Sequence, residues 1–170
     1  GFIELKKIQA VTRVPKSFFY KDVEVEDFNE KDVLDGSIFY NDQKEIAFKF
    51  PSISPGAITY LDYEQEILDP HFMPGFYPVE GAPIEKADLT IAHESDIEVD
   101  YFIYNPYNQK IEFEKTQKDG QTILKWSMDS IKGLKAEPGM PGARSIVAQI
   151  IPFVKSYKSE SGETINVSGT

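Results

Sequence analysis

The chain has 170 residues, the length of one ordinary domain or at most two very small ones, and it can bury a hydrophobic core without disulfides or metal ions. It contains no cysteine, and this excludes a disulfide framework, a thiolate metal site and a cysteine nucleophile. The 18 basic and 28 acidic residues give a net charge of −10, which repels phosphate backbones and predicts that nucleic acid is not a partner.

Alternation of apolar and polar side chains predicts β-strands along most of the chain, since successive side chains of a strand point to opposite faces of a sheet. In chain order, the segments that alternate or look extended are residues 3–14, 18–25, 46–50, 58–68, 89–91, 97–103 and 111–113. A change of phase near Asp62 predicts a β-bulge. Asp119-Gly120 predicts a tight hairpin between residues 111–116 and 122–128.

Many short strands separated by turns predict an all-β fold, an antiparallel β-sandwich with little helix. Helical patterns are confined to one or two turns in residues 27–34 and 128–134. The sandwich domain is predicted over residues 1–158, and the polar segment 159–170 is predicted to be a hairpin tip followed by the start of a linker. No apolar run approaches the ~18 residues that a membrane-spanning helix needs, so no membrane span is predicted.

Aromatic residues make up 13% of the chain, and their placement suggests a contact surface. The proline-rich loop 69–78 carries three rings, Phe72, Phe76 and Tyr77. These rings either stack on a sugar or a neighbouring domain, or pack onto the sandwich edge and seal its core. Alternation sends Tyr101 to one face of a strand and Phe102 with Tyr104 to the other, so one of the two sets faces solvent or a partner. The candidate contact residues are Phe72, Phe76, Tyr77, Tyr104 and Trp126.

The polar residues give no comparable signal for chemistry. A cluster of seven acidic residues could bind calcium, but it lacks EF-hand spacing and is better explained as a solvated strand face: Asp22, Glu24, Glu26, Asp27, Glu30, Asp32 and Asp35. His71 and His93 belong to no metal-ligand or triad pattern. We therefore predict no catalytic residue, no metal site and no cofactor.

Several short motifs, taken in order, resemble a known family, and the resemblance covers about residues 35–170. The domain of unknown function that precedes transglutaminase-like domains in secreted bacterial proteins is similar at these points: Phe48-Lys-Phe-Pro51, Pro55-Gly56, strand 58–68, Asp69-Pro70, Phe76, Pro78, Val79, strand 87–93, Gly120, Trp126, segment 131–134, Glu137-Pro138, Pro141, Ile150-Ile-Pro152 and Ser156-Tyr157.

This resemblance implies an immunoglobulin-like β-sandwich that is exported to the periplasm or cell surface. It also implies a longer parent protein, in which a transglutaminase-like domain with Cys-His-Asp chemistry follows the segment that ends at Thr170. None of that chemistry transfers to a chain without cysteine, and the family implies no ligand. The expected partner is the downstream transglutaminase-like domain of the same parent protein.

The leading hypothesis is therefore a non-catalytic module, not an enzyme, that positions or presents substrate to a transglutaminase-like or protease-like domain. The alternative is a carbohydrate- or peptide-binding module that uses exposed aromatic rings, and a hydrolase that uses paired carboxylates is a third hypothesis. Residues 1–85 carry a charge of −8 (8 basic, 16 acidic) and residues 86–170 a charge of −2 (10 basic, 12 acidic). The more neutral C-terminal half is the predicted docking side for the catalytic domain.

Overall fold

The computed structural model describes residues 2–32, 44–107, 109–135 and 137–167. The chain divides into two compact units, unit 1 (residues 1–72) and unit 2 (residues 73–170). Nearly all regular structure in the described residues is antiparallel β-sheet, so the predicted all-β class with little helix is confirmed. The predicted domain boundary at residue 158, the linker beyond it and the immunoglobulin-like topology stay predictions.

Unit 1 is built on a three-stranded sheet and a separate strand pair. The sheet has the order β2-β1-β5, with β1 (Ile3–Pro15) between β2 (Tyr20–Glu24) and β5 (Ile58–Ile67). The strand pair joins β3 (Asn29–Asp32) to β4 (Lys44–Ala47), and a short 3-10 helix, Pro70–Phe72, ends the unit. The register irregularity lies in β1 between Leu5 and Lys7, so the bulge predicted near Asp62 is misplaced.

Among the described residues of unit 1, the C-terminal half of β1 is the most buried part. Ala10, Thr12 and Val14 share one face of the strand, in agreement with its alternation, and all three side chains are buried. Thr12 is 0% exposed, and its hydroxyl Oγ1 makes no hydrogen bond within the described residues. A buried hydroxyl without a partner loses its hydration without compensation, so this residue is a local weakness in the sheet.

Replacing Thr12 with valine is expected to stabilise the protein by about 1 kcal/mol, because the change removes the unpaired hydroxyl, keeps the volume and suits a strand. The free energy of unfolding from urea denaturation, followed by far-UV circular dichroism, measures the effect. Thr59→Val is the control, because Thr59 lies opposite Thr12 in β5 but is exposed. A loss of stability in Thr12→Val would show that the hydroxyl has a favourable partner.

Unit 2 contains two three-stranded antiparallel sheets. The first has the order β6-β9-β8 and consists of β6 (Ile84–Glu94), β9 (Gln121–Ile131) and β8 (Ile111–Lys118). The second has the order β11-β10-β7 and consists of β11 (Thr164–Asn166), β10 (Gln149–Lys158) and β7 (Ile97–Tyr104). A short 3-10 helix, Ala143–Ser145, precedes β10.

The core of unit 2 lies between these sheets, which makes it a β-sandwich. Leu124, Trp126 and Met128 alternate along β9 and are buried against Ile150 of β10. Half-buried apolar side chains from the other strands complete this core, among them Leu89, Ile91, Val99, Tyr101 and Ile111. Each sheet therefore has an inner face in the core and an outer face turned away from it.

Some local predictions are confirmed and others are wrong. Lys118 pairs with Gln121, and Asp119 and Gly120 both have positive φ, as the predicted tight hairpin requires. The helical turns are wrong, because Asn29–Asp32 is strand β3 and residues 128–131 belong to β9; residues 33 and 34 lie outside the described residues. Within the described ranges, no helix is long and apolar enough to cross a membrane.

Candidate binding face

The five predicted contact residues fall into three different environments. Phe72 belongs to unit 1, where its ring stacks on Phe2 with centroids 4.2 Å apart. Phe76, Tyr77 and Tyr104 lie in unit 2 around the start of β10. Trp126 lies in the sandwich core.

Trp126 is 0% exposed, so its assignment to a contact surface is wrong. Its indole packs edge-on against Tyr101, with ring centroids 4.9 Å apart, and at a tilt of 39° against Phe113, with centroids 5.1 Å apart. The sequence contained the signal for this position, because Leu124, Trp126 and Met128 alternate with Lys125, Ser127 and Asp129. Because the residues that alternate with them are polar, the three apolar side chains are expected on the inner face of the sheet.

The outer face of the β11-β10-β7 sheet exposes large aromatic side chains. Tyr101 points into the core, so Phe102 and Tyr104 point outward, as the alternation predicted. Phe102 lies opposite Ile151, and Tyr104 lies opposite Gln149. In the next row Phe153 lies opposite Asp100. We define the outer face by the side chains of these three rows together with Tyr77: Tyr77, Asp100, Phe102, Tyr104, Gln149, Ile151 and Phe153.

Three rings form an aromatic ridge on this face, namely Phe102, Tyr104 and Phe153. Phe102 stacks on Phe153 with centroids 5.0 Å apart and planes inclined by 19°. On its other side, Phe102 contacts Tyr104 at 6.3 Å with planes tilted by 54°. Phe102 is 55% exposed and Tyr104 52% exposed, so the ridge presents a large apolar area to its surroundings.

The proline-rich loop closes the sandwich edge beside this face. Phe76 and Ile150 form an antiparallel bridge through two 2.8 Å backbone hydrogen bonds, and the Phe76 ring packs on the core. This confirms that Phe76 seals the core. Because the bridge is antiparallel, its register sets Gly75 beside Ile151 and Tyr77 beside Gln149. Consistently, a Cβ on Gly75 would lie 2.7 Å from Cδ1 of Ile151.

Arg144 lies at the Tyr77 end of the outer face. Its guanidinium is 4.4 Å from the centroid of the Tyr77 ring, and its Nη2 also donates a hydrogen bond to the Tyr77 hydroxyl. Two side-chain amides hold the Arg144 backbone, since Nδ2 of Asn105 donates to its carbonyl at 3.4 Å and Nε2 of Gln149 donates to the same oxygen. The arginine is thus positioned by residues that flank the ridge.

The other end of the same sheet is polar and its charges are paired. Lys155 Nζ donates to Glu98 Oε1 at 2.9 Å, and Ser156 Oγ donates to Glu98 Oε2 at 3.1 Å. The hydrogen bond from Lys155 lowers the pKa of Glu98, and the same contact raises the pKa of Lys155. The ridge therefore runs from the Glu98–Lys155 pair and Asp100, which lies opposite Phe153, to Arg144 at the other end.

Elsewhere the described residues show little that points to chemistry. A shallow surface depression of about 420 Å³ is lined by Val79, Leu134, Glu137, Met140 and Pro141 and extends to Ala143, the residue before Arg144. No group of three or more histidine or acidic residues in the described ranges could hold a metal ion. His93 Nδ1 contacts the Glu94 carbonyl oxygen at 2.9 Å, and His71 is paired with Asp69, whose pKa is lowered by hydrogen bonds from the backbone and ring of His71.

The predicted acidic cluster is spread over strands and a connecting segment of unit 1. Asp22 forms a two-bond ion pair with Arg13, which lowers the pKa of Asp22, and Glu30 pairs with Lys44 across the β3-β4 pair. Glu24 and Glu26 are exposed. Asp35 lies outside the described residues. The described part of the cluster fits the solvated-face hypothesis.

The fold and the outer face together define a β-sandwich protein with an exposed aromatic surface. The sequence matches, over residues 9–135, the family described as a domain of unknown function with solved structure, DUF3857, and the chain belongs to this family. No curated protein matches the sequence.

One solved structure is similar to this chain, that of a putative protease from Parabacteroides distasonis ATCC 8503. The two share a TM-score of 0.59 and 22% sequence identity, and the alignment covers 91% of this chain. The chain spans only 31% of the length of that protein. At this identity the similarity establishes a shared fold.

Proposed function

We propose that this chain is a non-catalytic module of a larger transglutaminase-like or protease-like protein, and that it holds a polypeptide substrate on its outer face for a catalytic domain elsewhere in that protein. The observation that carries the proposal is the exposed aromatic ridge. These rings are not needed for the sandwich core, which is filled by Trp126 and its neighbours. The coverage of 31% of the similar protein supports a role as one part of a longer chain.

The ridge has the composition of a protein-binding surface. Contiguous apolar patches on soluble proteins mark interaction sites, and aromatic residues are enriched in the centres of protein interfaces. Phe102, Tyr104 and Phe153 add nothing to the sandwich core, since they lie on the opposite face of the sheet from Val99, Tyr101 and Ile150. Burial by a ligand is therefore the function that best explains three adjacent rings at this position.

The geometry of the rings favours a polypeptide over a glycan. A sugar stacks on the free flat face of a ring, but Phe102 turns one face to Phe153 and is contacted by Tyr104 on the other side. Its edge is left for a ligand, and aromatic edges pack well against aliphatic side chains and other rings. Glycan binding remains the second candidate because Tyr104 is 52% exposed and ends the ridge.

The proposal includes the location and partner that the resemblance implies. The module would be exported to the periplasm or the cell surface, and its partner would be a transglutaminase-like domain of the same protein. The immunoglobulin-like topology of the sandwich belongs to the same proposal. Sequencing the native gene on both sides of this segment tests the partner directly, with a Cys-His-Asp domain as the expected result.

Substitution of Phe102 by alanine is expected to weaken peptide binding by about tenfold or more, since truncating a central aromatic residue removes a dominant contact. Peptides that bind the chain are first selected on an array, and their affinities are then measured by isothermal titration calorimetry. Phe18→Ala is the matched control: Phe18 is 98% exposed but lies in unit 1, outside the outer face. Its affinity should equal that of the unsubstituted chain.

Three results would contradict the proposal. The first is a chain that binds no peptide on the array. The second is binding to a glycan array that disappears in Tyr104→Ala, which would favour the carbohydrate alternative. The third is reproducible turnover of peptide or glycan substrates by the purified chain, since a non-catalytic module has no such activity.

A further inference from the structure

Arg144 differs from Arg13, the other arginine, because none of the carboxylates that the structure describes pairs with it. Arg13 binds Asp22 with two hydrogen bonds, Nε to Oδ1 at 2.9 Å and Nη2 to Oδ2 at 3.1 Å. Arg144 forms no ion pair with any carboxylate in the described ranges, although acidic residues outnumber basic ones 28 to 18. An exposed guanidinium without an acid on so acidic a protein is available to an anionic ligand.

The structure also holds this guanidinium in a defined place. Its Cζ lies over the Tyr77 ring, 4.4 Å from the ring centroid, and one of its N–H groups donates to the Tyr77 hydroxyl. Other N–H groups of its fork stay available for a carboxylate. The Asn105 and Gln149 amides bind the backbone carbonyl of Arg144, so they fix its position whichever side chain residue 144 carries.

The distance from Arg144 to the ridge suits a short peptide. Tyr77, Gln149 and Tyr104 lie in one row across adjacent strands, so two strand spacings, roughly 10 Å, separate the Tyr77 backbone from that of Tyr104. An extended peptide covers this distance with about three residues. A carboxylate on Arg144 and an apolar side chain on the ridge can therefore belong to one peptide segment.

We infer that Arg144 forms a carboxylate subsite at the end of the aromatic ridge, and that the polypeptide held on the outer face carries a carboxylate about three residues from an apolar side chain. This inference rests on the proposed function and specifies its ligand. The carboxylate comes either from a peptide C-terminus or from an aspartate or glutamate side chain. Both present two oxygens to the planar guanidinium fork.

The probe is a set of synthetic peptides taken from the array. Each is made with a free C-terminal carboxylate, with a C-terminal amide, with every Asp and Glu replaced by Asn and Gln, and with both changes together, which leaves a neutral peptide without any carboxylate. Arg144→Gln is expected to weaken binding of carboxylate-bearing peptides by about tenfold, the effect of one lost charged hydrogen-bond pair, and to leave fully neutral peptides unchanged. Whichever replacement removes the arginine dependence identifies the source of the carboxylate.

Two further variants separate charge from structure. Arg144→Lys keeps the charge but loses the fork, so its affinity should lie between those of the unsubstituted chain and Arg144→Gln. Arg13→Gln removes the other arginine, in unit 1, and should change no affinity. Binding to the carboxylate-bearing peptides should weaken as salt concentration rises, and the salt dependence should be smaller in Arg144→Gln.

The inference fails if carboxylate-bearing and neutral peptides bind equally well, or if Arg144→Gln weakens both alike, which is the behaviour of a structural residue. In either case, loss of binding in Phe102→Ala would still support the proposed function. If no peptide binds, the proposed function and the carboxylate subsite are both wrong.

Discussion

Replacement of Trp126 by alanine is expected to lower the free energy of unfolding by about 3–5 kcal/mol, the range for truncating a fully buried large aromatic residue. The indole is 0% exposed and packs on Tyr101 of the facing sheet and on Phe113 of its own sheet. Its removal leaves a cavity between facing strands that cannot close without moving them. Urea denaturation followed by far-UV circular dichroism measures the loss.

Phe18→Ala is the control for this truncation. Its side chain is 98% exposed, so the free energy of unfolding should change by no more than about 0.5 kcal/mol. If Trp126→Ala lowered the free energy of unfolding by less than about 1 kcal/mol, the assignment of Trp126 to the core would be contradicted. A cavity of that size in a well-packed interior costs more than this.

A single methyl group at Gly133 is expected to destabilise the protein by roughly 2–3 kcal/mol, the cost of forcing backbone apart in a packed structure. A Cβ there would lie 2.6 Å from the carbonyl oxygen of Gly81 and 2.8 Å from the carbonyl carbon of Ala82. These are main-chain atoms, and the next residue fixes them in place, since the amide of Leu134 donates to the carbonyl of Glu80 at 2.8 Å. The midpoint of urea denaturation of Gly133→Ala reports the cost.

Gly75→Ala is the matched comparison, because its Cβ would also meet an atom at short distance. That atom is Cδ1 of Ile151, 2.7 Å away, the end of a flexible side chain that can rotate aside. The expected loss is below about 1 kcal/mol. Neither glycine has positive φ, so the contrast isolates the contact. Equal losses in the two variants would mean that the 81–83 backbone moves as easily as a side chain.

The sequence predicted a strand correctly where the side chains on one of its faces are polar and those on the other are apolar. β7 and the β8-β9 hairpin followed directly from alternation and from Asp119-Gly120. The prediction failed for Asn29–Asp32, because its four residues Asn, Glu, Lys and Asp are all polar and show no alternation. That strand exists because β4 pairs with it, and a pairing between distant segments leaves no trace in a short window of sequence.

The candidate face was predictable in part for the same reason. Alternation placed Phe102 and Tyr104 together on one side of β7, and Tyr104 was among the predicted contact residues. Phe153 was missed because every residue of β10 from Ile150 to Val154 is apolar. The sequence therefore does not show which of these side chains face the core and which face outward. Arg144 was missed because it reaches Tyr77 through a bridge between residues 76 and 150, far apart in sequence.

Trp126 can also serve as an intrinsic fluorescence probe of unit 2. It is the only tryptophan in the chain and belongs to unit 2, so tryptophan fluorescence excited beyond the tyrosine absorption band reports on that unit alone. Circular dichroism of the backbone, by contrast, averages over the strands of both units. Comparing the two signals along one urea titration shows directly whether units 1 and 2 unfold in one cooperative step or in two.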